Sequence, residues 1–304
     1  MTSAPQSNTD ARRPFGELLT AMVTPFAEDA SVDIARAADL AQMLVRAGHD
    51  GLIINCTTGE SATTSDEEKA AMVRTVVAAV GAGTHVLAGV GTNDTKHSIE
   101  LAHAAVESGA TGLLVVTPYY NKPPQTGLIQ HFTAIADATD LPVMLYDIPG
   151  RTGVAIEEST FAVLAEHPRI KANKDAKGDP EAASRVMAAT GMPWYSGDDN
   201  LTLELLRRGA VGVVSVVGHI VGARIRQMID AHNSGDTQRA QEIHDSLVPV
   251  FVGIFRTQGV ILTKAALALM GMPVGGLRLP LVEATAEQID VLRGDLADAG
   301  VASL

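Results

Sequence analysis

One cysteine, Cys56, in 304 residues leaves no partner for an intrachain disulfide and rules out a multi-cysteine zinc site. That scarcity suits a reducing compartment, and a cytoplasmic location is the expectation. Basic charge is also short: 23 Lys and Arg against 35 Asp and Glu give a formal charge of −12, with a pI near 5.1. Nucleic acid and anionic membrane surfaces require a basic face, so neither is the main partner, and an anionic small molecule must be held by local donors. Long apolar runs are missing as well. The longest region, Ala210 to Ala223, is broken by Gly212 and Gly218, interrupted by Ser215 and His219, and shorter than the ~20 residues of a membrane helix. Residues Met1 to Pro14 are polar, and no continuous apolar stretch follows Arg12-Arg13 to make a signal peptide, so 1–14 reads as a loose tail.

What the chain does have is alternation. Apolar runs recur at Leu18 to Val23, Gly51 to Ile54, Val86 to Val90, Gly112 to Val116, Pro142 to Leu145, Ile170 to Lys174, Trp194 to Ser196 and Val211 to Val217. Segments of helical periodicity lie between them, such as Met72, Val73, Val76, Val77 and Val80. Repeated strand and helix units of this number point to an α/β protein with a closed (β/α)₈ TIM barrel over 15–235; an open doubly wound sheet is the competing architecture. A dinucleotide site does not fit, because Gly89-Val90-Gly91-Thr92-Asn93-Asp94 lacks the third glycine needed for close helix packing. Beyond about residue 235 the strand signal ends. Thr237 to Phe255, Val260 to Met270 and Thr285 to Ala299 read as helices of a C-terminal extension, 236–304, packed on the barrel.

In such barrels the chemistry sits on loops at the carboxyl ends of strands. After the second run comes Cys56-Thr57-Thr58-Gly59-Glu60-Ser61, then Ser65-Asp66-Glu67-Glu68 in the form of a capping box. Two readings of the Thr57-Thr58 segment stand: a carboxylate cradle of hydroxyls and free N–H groups, or a plain turn. The fourth run ends in Thr117-Pro118-Tyr119-Tyr120-Asn121, which places two of only four tyrosines together. They could relay protons or merely pack under a proline-stiffened loop. The fifth ends in Tyr146-Asp147-Ile148-Pro149-Gly150-Arg151, offering a phenol and a guanidinium suited to a carboxylate, although Arg151 alone could form only a surface ion pair.

A lysine amine held out of water becomes a nucleophile able to form a Schiff base with a carbonyl. Strand alternation puts Lys174 and Ala172 on one face and Lys171 and Asn173 on the other, while Lys177 falls in the polar loop beyond. Lys174 is therefore the best-placed nucleophile. Lys264 competes, since it lies in an apolar helical segment, but a helix lysine can run its stem along apolar surface and keep its charge outside. Asp198 and Asp199, adjacent at a strand end without histidine partners, read as loop hydrogen-bond acceptors rather than a metal pair. His219 reads as a cap or packing residue.

Thr57-Thr58-Gly59-Glu60, Thr117-Pro118-Tyr119-Tyr120, Tyr146 to Arg151, Lys174-Asp175-Ala176 and Ser196-Gly197-Asp198-Asp199 occur in an order and spacing that resembles the dihydrodipicolinate synthase/N-acetylneuraminate lyase family of class I aldolases. The resemblance runs from about Gly16 to the C-terminus. It implies that Lys174 forms an imine with pyruvate, whose carboxylate sits on the loop of Thr57 and Thr58, and that the derived enamine attacks L-aspartate 4-semialdehyde. The product would be 4-hydroxy-tetrahydrodipicolinate, at the first committed step of diaminopimelate and lysine biosynthesis. Tyr146 would be the acid/base, and Thr57 and Tyr120 would extend a proton relay. Tyr120 would serve a neighbouring subunit, in a homotetramer built as a dimer of dimers. Arg151 would hold the semialdehyde carboxylate, Gly197 and Val214 would line the imine pocket, and no cofactor or metal would be needed.

Alternatives within this resemblance are another pyruvate aldolase acting on a sugar acid or hydroxy-oxo acid, against which Arg151 argues, and a catalytically silent binding protein, against which the full residue set argues. Cys56 stands where the family usually has glycine, and Lys171 and Asn173 replace residues that are usually apolar or glycine. Asn173 would need a buried hydrogen-bond partner, and Cys56, with no base nearby in sequence, reads as a packing residue. Lysine-inhibited relatives commonly surround an allosteric lysine with histidines and a glutamate. The corresponding positions here are Asp66, Lys69 and His97, while Ser61, Asn93 and Tyr119 match. Lys69 would repel a bound ammonium, so weak or absent lysine feedback is expected.

Overall fold

In a computed structural model of the chain, residues 12–301 are described. Most of the expected N-terminal tail, 1–11, and the last three residues lie outside them. Eight parallel strands close into a barrel in sequence order: β1 (Leu18–Ala21), β2 (Gly51–Ile54), β3 (His85–Gly89), β4 (Gly112–Val116), β5 (Val143–Asp147), β6 (Ile170–Asp175), β7 (Trp194–Ser196) and β8 (Gly212–Ser215). Pairing of β1 with β8, with Leu19 opposite Val214, closes the ring and excludes the open sheet.

The connections are helical. They run through α1 (Ile34–Arg46), α2 (Asp66–Val80), α3 (Thr95–Glu107), α4 (Gln125–Asp137), the short turn α5 (Pro149–Thr152), α6 (Glu158–Ala165), α7 (Pro180–Thr190), α8 (Thr202–Arg207) and α9 (Gly218–Asn233). Three further helices follow: α10 (Thr237–Gly253), α11 (Gly259–Leu269) and α12 (Ala286–Asp298). Among the described residues no helix is long and apolar enough to cross a membrane.

Side-chain alternation along each strand builds two separate cores. Leu19, Ile53, Leu87, Leu114, Met144 and Val214 point into the barrel, whereas Leu52, Val86, Leu113, Val115, Val143 and Leu145 meet the helix layer. Phe15 plugs the amino-terminal end, edge-on to His85 with ring centroids 6.0 Å apart. Its backbone N–H donates to the Tyr195 hydroxyl at 3.2 Å, and that hydroxyl donates to Gly16 O at 2.8 Å. The barrel is therefore sealed below and open only at its carboxyl end. Helix starts follow their sequence signals. Asp33 caps α1 by accepting from Arg36 N, and Ser65 with Glu68 forms the expected capping box of α2. A third apolar cluster, with Leu247, Val250 and Phe251 of α10 and Leu292 and Leu296 of α12, packs these helices on α9 beside β1 and β8.

Several histidines are buried in this framework as neutral rings. Burial pulls His49, His131 and His219 down to about 4 from the ordinary 6.5. Because these folded values lie below the unfolded one, the unfolded chain binds more protons between pH 6.5 and 4, and stability falls as pH falls through that window. Asp199, pushed up by burial to about 6 from 3.8, works in the opposite direction between pH 6 and 3.8. We expect each such histidine to remove about 2 kcal/mol between pH 7.5 and 5. Urea unfolding of His49→Gln at the two pH values checks this: the variant should lose about 2 kcal/mol less than the parent between them, and an equal loss would show that His49 does not act in this way.

Candidate active site

Lys174 and Tyr146 are register partners on neighbouring strands β6 and β5. Both are buried in the barrel interior, with Lys174 Nζ 4.0 Å from the centroid of the Tyr146 ring. A parallel pair in register, both at inward positions, gives this contact directly. The next loop makes room for it. A Cβ on Gly197 would lie 3.1 Å from Lys174 Cε and 2.9 Å from Asp175 O, so only glycine leaves the lysine stem free. Gly197 N donates to Asp175 O at 2.7 Å, which fixes that approach. Val214, on the inward face of β8, belongs to the same interior apolar cluster as Tyr146.

The loop after β2 is held in an unusual backbone path. Asn55 and Glu60 have φ of 60° and 53°, in the left-handed region. Ser61 N donates to Cys56 O at 3.3 Å and Glu60 N to Thr57 O at 3.2 Å, while the Thr24 hydroxyl donates to Gly59 O at 2.6 Å. The segment is therefore a turn pinned from both sides of the backbone. Cys56 is buried in the interior cluster, consistent with a packing role. A cleft of about 670 Å³ opens here, and its walls include Thr57, Tyr146 and Arg151. Thr58 is buried beside it in sequence. Arg151, exposed on α5, lines the cleft together with Lys69.

The two tyrosines after β4 divide. Tyr119 lines the cleft, whereas Tyr120, with φ of 74°, is 89% exposed. Within one chain Tyr120 therefore packs under nothing, and its ring stands outside the cleft wall. The positions compared with an allosteric site, Ser61, Asp66, Lys69, Asn93 and His97, line the same cleft as Thr57 and Tyr146. His97 Nε2 lies 2.9 Å from Asp66 Oδ2. Lys69 Nζ donates to Thr64 O at 2.6 Å and to Asp66 Oδ1 at 3.3 Å. The hydrogen bond from His97, followed by the Lys69 charge, holds the Asp66 carboxyl below the usual range.

Behind the site lie several buried polar groups whose partners the sequence did not name. Asp147 and Asp175, each one residue beyond the inward pair, face the helix layer and are buried. Lys177 does not stay in its polar loop: its ammonium turns back to within 3.1 Å of Asp147 Oδ2 and donates to Ile156 O at 3.2 Å. Asp175 is held by Trp194 Nε1 at 3.0 Å and by Lys177 N at 2.8 Å. Burial raises Asp147 to about 6 although Lys177 pulls it down, and it raises Asp175 too. Asp199, read as a loop acceptor, takes N–H bonds from Val216 at 2.9 Å and Val217 at 3.1 Å and a bond from the Ser215 hydroxyl. It thereby fixes the turn from β8 into α9. His219, read as a cap or packing residue, is buried. Its Nδ1 donates to Val216 O at 2.7 Å, and its Nε2 accepts from Val23 N at 3.1 Å, tying the end of β1 to the start of α9.

Two expectations require correction. Lys264 does not carry its charge outside: it is 4% exposed, with Nζ 2.7 Å from Glu60 Oε1 and 2.6 Å from Gly276 O. An available carboxylate, not a route to water, accommodates the ammonium. Its ammonium is thus tied up in the protein, and neither it nor Lys174 is among the residues that line the cleft. Asn173 is fully buried, but neither polar atom of its side chain has a partner within the protein. A buried unpaired amide costs about 1–3 kcal/mol, which the apolar cores around it must offset.

The sequence profile of the dihydrodipicolinate synthetase family matches residues 14–299. The chain is 63% identical over 300 residues to 4-hydroxy-tetrahydrodipicolinate synthase 2 of Streptomyces coelicolor, covering 99% of this chain and 98% of that one. The crystal structure of DHDPS from Cyanidioschyzon merolae with lysine bound superposes with a TM-score of 0.92 at 44% identity, covering 95% of this chain and 99% of the other. The chloride-inhibited dihydrodipicolinate synthase from Acinetobacter baumannii complexed with pyruvate does so at 0.92 and 36%, covering 95% and 100%. With the barrel, the strand-end residues and these relatives in agreement over nearly the whole length, the chain belongs to the dihydrodipicolinate synthetase family.

Proposed function

We propose that this chain condenses pyruvate with L-aspartate 4-semialdehyde through a Schiff base on Lys174, giving 4-hydroxy-tetrahydrodipicolinate. The observation that carries the reading is the inward Lys174 amine lying on the Tyr146 ring, at the one open end of a sealed barrel. The relatives' shared activity supports the choice of substrates, and a pyruvate complex of one relative supports the donor.

The amine adds to the C2 carbonyl of pyruvate, and loss of water leaves a protonated imine. That cation withdraws electrons from C3, so a methyl proton departs and an enamine forms. Enamine C3 then bonds to the aldehyde carbon of the semialdehyde, whose oxygen takes up a proton. The semialdehyde amine finally attacks the imine carbon, which closes the ring and frees Lys174. Tyr146, beside the nitrogen, moves protons in the steps that make and consume the imine. Thr57 and Thr58 receive the pyruvate carboxylate on their loop, with Gly197 and Val214 leaving and lining the space for the imine. Arg151 binds the semialdehyde carboxylate by two parallel charge-assisted bonds. The exposure of Tyr120 supports its use by a second copy, in a homotetramer, as the outer step of the proton relay from Thr57. Function in the cytoplasm, with the barrel of 15–235 and the helices of 236–304 acting as one unit, completes the reading.

Borohydride reduction in the presence of pyruvate, followed by peptide mass spectrometry, should place the adduct on Lys174. Tyr146→Phe should lower kcat about 10²- to 10⁴-fold, the usual weight of a positioned acid/base. An adduct on Lys264, or none, would overturn the assignment. Arg151→Ala should raise KM for the semialdehyde about 10- to 100-fold, the loss of one charge-assisted pair, while trapping of pyruvate on Lys174 proceeds as before; an equal rise for pyruvate would move Arg151 to the other substrate.

Feedback by lysine should be weak or absent. The Lys69 ammonium already occupies Asp66 and Thr64 O in the cleft, and a second ammonium would meet its repulsion. Steady-state assays with L-lysine up to about ten millimolar should show little inhibition, whereas strong submillimolar inhibition would refute this account.

A further inference from the structure

Glu60 directly follows the segment that carries Thr57 and Thr58, and its carboxylate is almost fully enclosed. One oxygen meets the Lys264 ammonium of α11 at 2.7 Å. The other accepts from the backbone N–H of Arg278 at 3.1 Å. Both cationic groups also flank the Phe26 ring, Lys264 Nζ at 4.3 Å and the Arg278 guanidinium carbon at 4.5 Å from its centroid. Arg278 spends its remaining donors on Ala30 O, Thr63 O and both carboxylate oxygens of Glu68. The chain between α11 and α12 is thus bolted to the loop after β2. Close packing fixes it as well. Phe26 N donates to Val274 O at 3.0 Å, and Gly275, with φ of 75°, lies where any Cβ would collide with Phe26 O.

Two residues beyond Arg278, Pro280 and Leu281 form part of the cleft wall, together with Thr57 and Arg151. One carboxylate therefore joins the loop proposed to hold pyruvate to a segment that supplies part of the cleft wall. An enclosed ion pair is a poor source of stability, because desolvating both charges offsets most of their attraction, and apolar replacements of similar volume are often as stable or more so. What the pair does supply is a fixed distance and direction between two segments.

On the Schiff-base reading given above, we propose that Glu60, Lys264 and Arg278 are positioning residues that set the Thr57-Thr58 loop against the 278–281 segment. The width of the cleft, and with it the capture of both substrates, depends on this latch although none of the three touches a substrate.

The double variant Glu60→Gln with Lys264→Met keeps side-chain volume and removes both charges. Its thermal midpoint should stay close to the parent's or rise, while KM for pyruvate increases at least about tenfold, the scale that small misplacements of substrate-holding groups bring. Trapping on Lys174 at saturating pyruvate should still go to completion. Arg278→Lys, which keeps charge but loses the fork, should raise KM for the semialdehyde more than for pyruvate. It carries the test should the double variant not fold. Unchanged KM values for both substrates, with Lys174 trapped normally, would overturn the latch alone. A parent chain that gives no adduct on Lys174 would instead overturn the Schiff-base reading on which it rests.

Discussion

Closure of the barrel assigns every side chain at a strand end to one of two environments, and the site depends on that division. On β5 and β6 the inward positions are Tyr146 and Lys174, and the next residues, Asp147 and Asp175, point outward. Strand register brings each pair together without further device. The inward pair meets a space sealed below by Phe15 and Tyr195; the outward pair meets apolar helices and would be two uncompensated carboxylates. Lys177 and the Trp194 indole supply what the outward pair lacks. The inward lysine is thus backed by a partnered carboxylate pair on the other face, and a shift of either strand by one residue would exchange the two faces.

Buried charge recurs through this otherwise acidic chain, always with a partner that sequence does not announce. Asp147 with Lys177, Glu60 with Lys264 and Asp199 with the N–H groups of Val216 and Val217 each stand at the carboxyl end of the barrel. Such pairs return little net stability. Their common effect is orientation: each fixes a loop that leaves a strand next to the cleft. The apolar clusters between strands and helices supply the stability, and the polar ties at the mouth convert a stable scaffold into a specific arrangement of loops.

This division also explains what could be read from sequence. The strands were legible because each is a short apolar run, and Lys174 was legible because alternation alone separates it from Lys171. Helices after residue 235 were legible from their period. The burial of Lys264 was not, because periodicity says which face a residue takes but not whether a carboxylate from a distant loop waits there. Lys177 failed for the same reason, its partner lying on the preceding strand. Asn173 shows a different limit. The alternation placed it outward correctly, but the expectation of a hydrogen-bond partner assumed that polar groups in the helix layer come paired, and here neither side-chain atom finds one among the described residues. Tyr120 shows a further limit, since neither its left-handed backbone nor the exposure of its ring could be read from the sequence.

The net charge of −12 bears on how the proposed substrates are captured. Pyruvate and the semialdehyde both carry a carboxylate, and a protein of this sign offers no long-range field to draw them in. Capture must therefore be a short-range event, made by donors already in place when the substrate arrives. On the proposed reading Arg151 supplies charge, and the loop of Thr57 and Thr58 supplies neutral donors whose value depends on position more than on field strength. Neutral donors are effective only when held, which is why the loop carrying them departs from ordinary backbone geometry at both Asn55 and Glu60 and why its far end is tied to another part of the chain. The cost of that rigidity falls on the loop, while the stem of Lys174 is left free by the missing side chain of Gly197.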